Sequence, residues 1–178
     1  MRPGAAATRH EECPMTADAA ADARFVHSRL VDATPEQVFD AFARPERLAR
    51  WWGPDGFSSS FEVFDLRPGG AWRFVMHGPD GTDYPNTNVF RTVDAPHRVE
   101  VEHLSDDHHF VLAITFTPRG SRTLVGWQQT FDTAEQKRQL APWVEPANEQ
   151  NLDRLQREVA RAAGGGAEGG DARQPTDE

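Results

Sequence analysis

Apolar and polar residues alternate with a period of two through the middle of the chain and with a helical period near its end. From Arg24 to Val31, Phe25, His27 and Arg29 alternate with Val26, Ser28 and Leu30, which predicts a first strand. Thr34-Pro35-Glu36-Gln37 then opens a helix: Thr34 caps it, Pro35 suits a first helical position, and Gln37 completes a capping box. Val38, Phe39 and Phe42 give that helix an apolar face. Pro45 interrupts it, and a second short helix carries Leu48 and Trp51-Trp52 to a stop at Gly53-Pro54. Only a sheet can bury these aromatics, so both short helices are expected to lie across one.

Period two returns at Phe57 and predicts strands over 57–63, 72–77, 88–93, 98–103, 110–116 and 123–131. The turns between them are Arg67-Pro68-Gly69-Gly70, Gly78-Pro79-Asp80-Gly81, Asp94-Ala95-Pro96, Ser105-Asp106-Asp107 and Pro118-Arg119-Gly120-Ser121. A polar helix is predicted from Thr133 to Leu140, a break at Ala141-Pro142-Trp143, and a long helix from Pro146 to Ala163. Leu152, Leu155, Val159 and Ala162 form a narrow apolar stripe on that helix, with Asp153, Arg154, Arg157, Glu158 and Arg161 off it. An isolated helix of this length is marginal in water, so the stripe must be buried against the strands. The expected fold is α+β: a curved antiparallel sheet of seven strands wrapped round the C-terminal helix, with two short helices between strands 1 and 2. A bent sheet around so narrow a stripe leaves space beneath the helix, and that space is the candidate ligand site.

Composition narrows the partners. The chain has 178 residues and a net charge of −9, which argues against nucleic acid and anionic membranes, both of which need clustered Lys and Arg. Mean hydropathy is −0.67, and no apolar run approaches a membrane span or a signal-peptide core. The one cysteine, Cys13, permits no internal disulfide and no thiolate metal site, as expected of a cytoplasmic protein. Residues 1–23 are Ala-rich and 164–178 Gly-rich and acidic; both are expected to be disordered, leaving one domain over 24–163. Met15 is expected to be the natural start, and retention of Arg2 in the native protein would refute this.

Strand parity assigns the concave face. Its expected ligand-binding lining is Trp72, Phe74, Met76, Phe90, Val101 and His103 from the earlier strands, then Phe110, Leu112, Ile114, Trp127, Gln129 and Phe131. Leu152 and Leu155 would cover it from the helix, unless all these side chains meet in a solid core. His103 and Gln129 are polar on an apolar face; a buried imidazole or amide without a partner costs about 1–3 kcal/mol, so protein, water or ligand must satisfy each. Asn148 and Asn151, one turn ahead of the stripe, form a polar patch at the expected helix start, where capping, solvent or a ligand oxygen helped by the helix N-terminus would occupy them. His108 and His109 are adjacent and point to opposite faces on a strand, and no HxH, HExxH or Cys/His spacing occurs, so no metal site is expected. No nucleophile motif or phosphate loop stands out.

Several stretches together resemble one family. They are Thr34-Pro35-Glu36-Gln37-Val38-Phe39, Leu48-Ala49-Arg50-Trp51-Trp52-Gly53-Pro54, Asp65-Leu66-Arg67-Pro68-Gly69-Gly70, Gly78-Pro79-Asp80-Gly81 and Leu152-Asp153-Arg154-Leu155. In this order they resemble the START-like (SRPBCC, helix-grip) superfamily, in the branch of the heat-shock-protein-90 ATPase activator C-terminal domain, whose members are often labelled polyketide cyclase-like. The resemblance implies the helix-grip fold and a deep apolar cavity for a small hydrophobic molecule, but not one chemistry.

Three functions follow from these observations. The first is a non-catalytic binder of a lipid-, aromatic- or polyketide-like molecule, needing no cofactor. The second is a cyclase, dehydratase or hydrolase without metal, drawing on His103, Tyr84 or Gln129 as proton mover or carbonyl ligand. The third is a chaperone-interacting module using Trp51-Trp52 or Trp143. The binder is preferred, because no paired acid–base groups appear on the concave face. A homodimer is left open.

Overall fold

The computed structural model describes residues 22–165. Strand β1 (Arg24–Val31) is followed by helices α1 (Pro35–Ala43) and α2 (Pro45–Trp51). Strands β2 (Ser58–Phe64), β3 (Ala71–His77), β4 (Asp83–Asp94), β5 (Arg98–His103), β6 (Phe110–Arg119) and β7 (Arg122–Phe131) come next, and helix α3 (Ala134–Gly165) closes the fold. All seven strands form one antiparallel sheet in the order β1-β7-β6-β5-β4-β3-β2. Strands β2 to β7 are a meander, and β1 pairs with β7. The first two strands are therefore the two edges, and α1 and α2 must cross the sheet to join them.

Local chemistry sets each junction. Gln37 Oε1 accepts from the Thr34 backbone N–H at 3.0 Å, closing the N-terminus of α1. Gly70 ends the β2–β3 turn where a Cβ would stand 1.9 Å from the Asp65 carbonyl oxygen, so only glycine fits. Trp51 is buried against Phe42 and donates its indole N–H to the Ala41 carbonyl at 2.9 Å, which fixes α2 on α1.

The structure departs from the expected elements at four places. α3 runs unbroken through Pro142 and Pro146, where a break was expected. Each proline deprives the carbonyl four residues earlier of its helical donor and costs helix stability, but tertiary contacts hold α3 in one piece. Glu149 bonds His27 at 2.6 Å and Arg29 at 2.8 Å on β1, and Asp153 also pairs with Arg29. β4 begins five residues earlier than expected. In β2 the register shifts between Phe61 and Val63, so Phe64 joins Phe61 against the core where simple alternation pointed to Val63. Ala162, expected on the apolar stripe, is exposed, whereas Leu152, Leu155 and Val159 are buried.

The expected irregular head and tail lie outside the described residues, with small exceptions. Ala23 is buried and its carbonyl accepts from Phe131 N–H at 3.0 Å, and α3 extends to Gly165. Met15 and Cys13 also lie outside them. Among the described residues, no helix is long and apolar enough to cross a membrane.

Candidate functional site

The concave face is divided in two. At one end Trp72, fully buried, stacks on Phe90 with ring centroids 5.8 Å apart and packs edge-on to Phe42 and Phe64. Leu152 and Leu155 are buried in the same core. At the other end, beneath the first half of α3, a cavity of about 650 Å³ remains, partly open to solvent. Its floor is Phe74 and Met76 of β3, Val101 of β5, Phe110 and Leu112 of β6, and Trp127 of β7. Trp52, Pro54 and Phe57 from the α2–β2 link form one wall, and Pro142, Trp143, Pro146 and Ala147 of α3 form the roof.

Nine of the residues expected to line the site therefore do so: Phe74, Met76, Val101, Phe110, Leu112, Trp127, Gln129, Asn148 and Asn151. Trp72, Phe90, His103, Ile114, Phe131, Leu152 and Leu155 are buried away from the wall. The hollow sits earlier along α3 than parity and the apolar stripe placed it, because that helix starts at Ala134 and not at Pro146. Trp52, Phe57, Pro142, Trp143 and Pro146 were missed as lining. The proline pair at i, i+4 was the available signal, since it marks one helix face, but it also reads as a helix break.

One cross-strand row explains the polar end. Trp72, Asn88, His103, Phe110 and Phe131 lie directly opposite one another on successive strands. Asn88 donates from Nδ2 to the Trp72 carbonyl at 3.1 Å, which turns its Oδ1 toward His103 Nδ1 at 2.9 Å. His103 therefore carries its proton on Nδ1, and its Nε2 accepts from His108 Nε2–H at 3.2 Å. That leaves His108 Nδ1 as acceptor for the Ser105 hydroxyl at 3.1 Å. Burial pushes the His103 pKa down to about 4, with the neighbouring His108 and His109 imidazoles adding to the effect, so the ring is neutral near pH 7.

His108 and His109 lie in the β5–β6 turn rather than on a strand, and still point apart. His108 reaches the cavity rim. His109 bridges Glu102 at 2.9 Å and Asp132 at 2.7 Å; Glu102 above all, with Asp132, raises its pKa. Glu102 is held down at about 2 by Arg91 and His109.

Tyr84 stands half-exposed at the rim opposite Met76. Gln129 and Asn148 are joined amide to amide, Asn148 Nδ2–H donating to Gln129 Oε1 at 3.0 Å. Asn151 does not face a ligand freely. Its Oδ1 accepts from Gly53 N–H at 2.7 Å and its Nδ2 donates to the Ala147 carbonyl at 3.0 Å. Gln150 and Arg154 complete this attachment of α3 to the 53–55 link, through Asp55 N–H at 2.9 Å and the carbonyls of Gly53 and Pro54 at 2.6 and 2.7 Å.

Of the tryptophans considered for docking a partner protein, Trp51 is buried, Trp52 faces the cavity, and Trp143 is exposed over 70% of its surface at the cavity roof. Among the described residues, no group of three or more His, Cys, Asp or Glu is placed to hold a metal ion.

Residues 32–160 match the family model described as activator of Hsp90 ATPase homolog 1-like protein. No curated protein sequence matches the chain. Among solved structures, a protein of Arthrobacter aurescens superposes with a TM-score of 0.75 at 24% identity, covering 80% of this chain and 88% of its own. A protein of Nitrosomonas europaea gives 0.74 at 21% identity, covering 81% and 98%. The AHSA1-like protein of Aeromonas hydrophila gives 0.60 at 25% identity, covering 84% and 100%.

Proposed function

The chain belongs to the activator of Hsp90 ATPase homolog 1-like family, and from that premise we propose that it binds a small, mainly apolar molecule between the sheet and α3. The observation that carries this reading is the cavity of about 650 Å³ with a predominantly aromatic and aliphatic wall. A hollow of that size lies in the range of small-molecule sites and takes a ligand of two or three fused rings or a short acyl chain. Burial of its apolar surface drives binding at roughly 25 cal/mol per Å².

Catalysis is the weaker reading. His103 is set back from the cavity wall with both nitrogens bonded, to Asn88 and His108. Gln129 cannot move a proton near neutrality, and among the described residues the side-chain hydrogen bond at Tyr84 runs from Asn86 Nδ2 to its backbone carbonyl, so no base is bonded to its hydroxyl. A chaperone-docking role would rest on Trp143, the exposed one of the three tryptophans considered.

The test is titration with N-phenyl-1-naphthylamine, a neutral probe that fluoresces in apolar surroundings. Saturable binding at one site per chain is expected, and Ala147→Trp, which fills the roof, should abolish it while circular dichroism stays unchanged. An absence of saturable binding in the folded wild type refutes the proposal.

A further inference from the structure

We infer that the Gln129–Asn148 amide pair is the recognition point of the cavity. It takes a neutral planar ligand bearing a carbonyl beside an N–H or O–H donor, such as an aromatic amide or lactam, in preference to a carboxylate. This rests on the binding reading above and narrows it to a ligand class.

The first argument is unspent hydrogen-bonding capacity. Within the pair, Asn148 Nδ2 and Gln129 Oε1 satisfy each other. Among the described residues, Gln129 Nε2 and Asn148 Oδ1 have no protein partner, yet neither belongs to the buried unsatisfied atoms, so both reach accessible space. Both residues line the cavity and are otherwise nearly buried, at 6% and 4% exposure. The pair thus offers one donor and one acceptor to whatever enters. The other deep amides are committed: Asn88 to Trp72 and His103, and Asn151 to Gly53 and Ala147.

The second argument is charge. Among the described residues, no Lys, Arg, Asp or Glu lines the cavity, and the one imidazole that does, His108, is at the rim. The Arg154 guanidinium approaches the edge at Pro54, but its donors go to the carbonyls of Arg50, Gly53 and Pro54. A carboxylate beside Gln129 would lose its hydration with no counter-charge, a cost that a neutral group avoids.

The third argument is the helix. A helix start at Pro146 would have put the positive end of the macrodipole beside Asn148 and favoured an anion. With α3 beginning at Ala134, Asn148 lies roughly four turns inside, where the dipole has faded and the backbone N–H groups are bonded within the helix. The rings of Trp52, Phe74, Phe110 and Trp127 around the cavity favour a flat ligand.

The experiment displaces N-phenyl-1-naphthylamine with naphthalene, 2-naphthamide and 2-naphthoate at about pH 8.5, where the naphthoate is ionised. 2-Naphthamide should bind about 5-fold tighter than naphthalene and at least about 10-fold tighter than 2-naphthoate. Gln129→Leu/Asn148→Leu removes both amides together, leaving no orphaned partner, and should abolish the preference, so that 2-naphthamide binds that variant no tighter than naphthalene does. Each single Leu variant should lose part of the preference. Naphthoate binding as tightly as naphthamide overturns the inference, as does a double variant that keeps the amide preference. Naphthalene binding with no gain for the amide removes the recognition point and leaves the cavity reading standing. Failure of the fluorescent probe itself to bind removes both.

Discussion

His103 is held neutral by its surroundings, and this has a consequence for stability. Its pKa is about 4 when folded, against an ordinary value of 6.5 in an unfolded chain. As pH falls from about 6.5 toward 4 the unfolded chain takes up a proton that the folded protein refuses, so stability present above 6.5 is lost over that window, on the order of 3 kcal/mol in all. His109 has the opposite sign: its raised pKa contributes stability that is complete below about 6.5 and lost as pH rises through the folded value. Urea unfolding of wild type and His103→Gln from pH 7.5 to 4 separates them, because His109 is common to both. The difference between the two proteins should shrink toward acid, and a pH-independent difference would contradict the assignment. That His103 must have partners was legible from its place on an apolar strand face. That one partner is Asn88 was not, because cross-strand register is a property of two strands together.

At the scale of elements, α3 is joined to the short helices by a carboxylate that reads from sequence as solvent-facing. Glu158 is 5% exposed; it bonds Arg47 of α2 at 3.1 Å and Arg161 of its own helix at 2.9 Å. Burial works to raise its pKa and is outweighed by Arg161 and Arg47, so the group is charged with a lowered pKa. Removing one member of such a set leaves Arg47, itself largely buried, with Asp40 as its remaining carboxylate. Glu158→Ala should therefore cost about 3 kcal/mol in chemical denaturation, well above the fraction of a kcal/mol expected for an exposed ion pair. Helical periodicity found the buried stripe at Leu152, Leu155 and Val159 but cannot reveal that a neighbouring helix covers a charged position beside it. The same blindness produced the false break at Pro142. Local rules give the cost of a proline inside a helix, whereas ties to β1 and to the 53–55 link compensate for it.

Over the whole molecule, packing is uneven, solid around Trp72 and hollow beside Trp127. Trp72→Ala should cost about 4 kcal/mol, as a large side chain lost from a closed core does, while Met76→Ala on the cavity wall should cost about 1 kcal/mol because fewer contacts are lost. Equal losses in urea titrations of the two variants would mean that the hollow is filled by protein in solution. The strand order around the meander, the two short helices and the buried helical stripe follow from alternation, capping and turn residues that act within a few positions of one another. Those rules determined the fold and placed nine of the residues that line the cavity. Where the cavity lies along α3, which amides remain unsatisfied and which carboxylate is buried were decided by the tertiary structure, because each depends on the distance between segments that no periodicity relates: α3 against β7, α2 and the loop after Trp52.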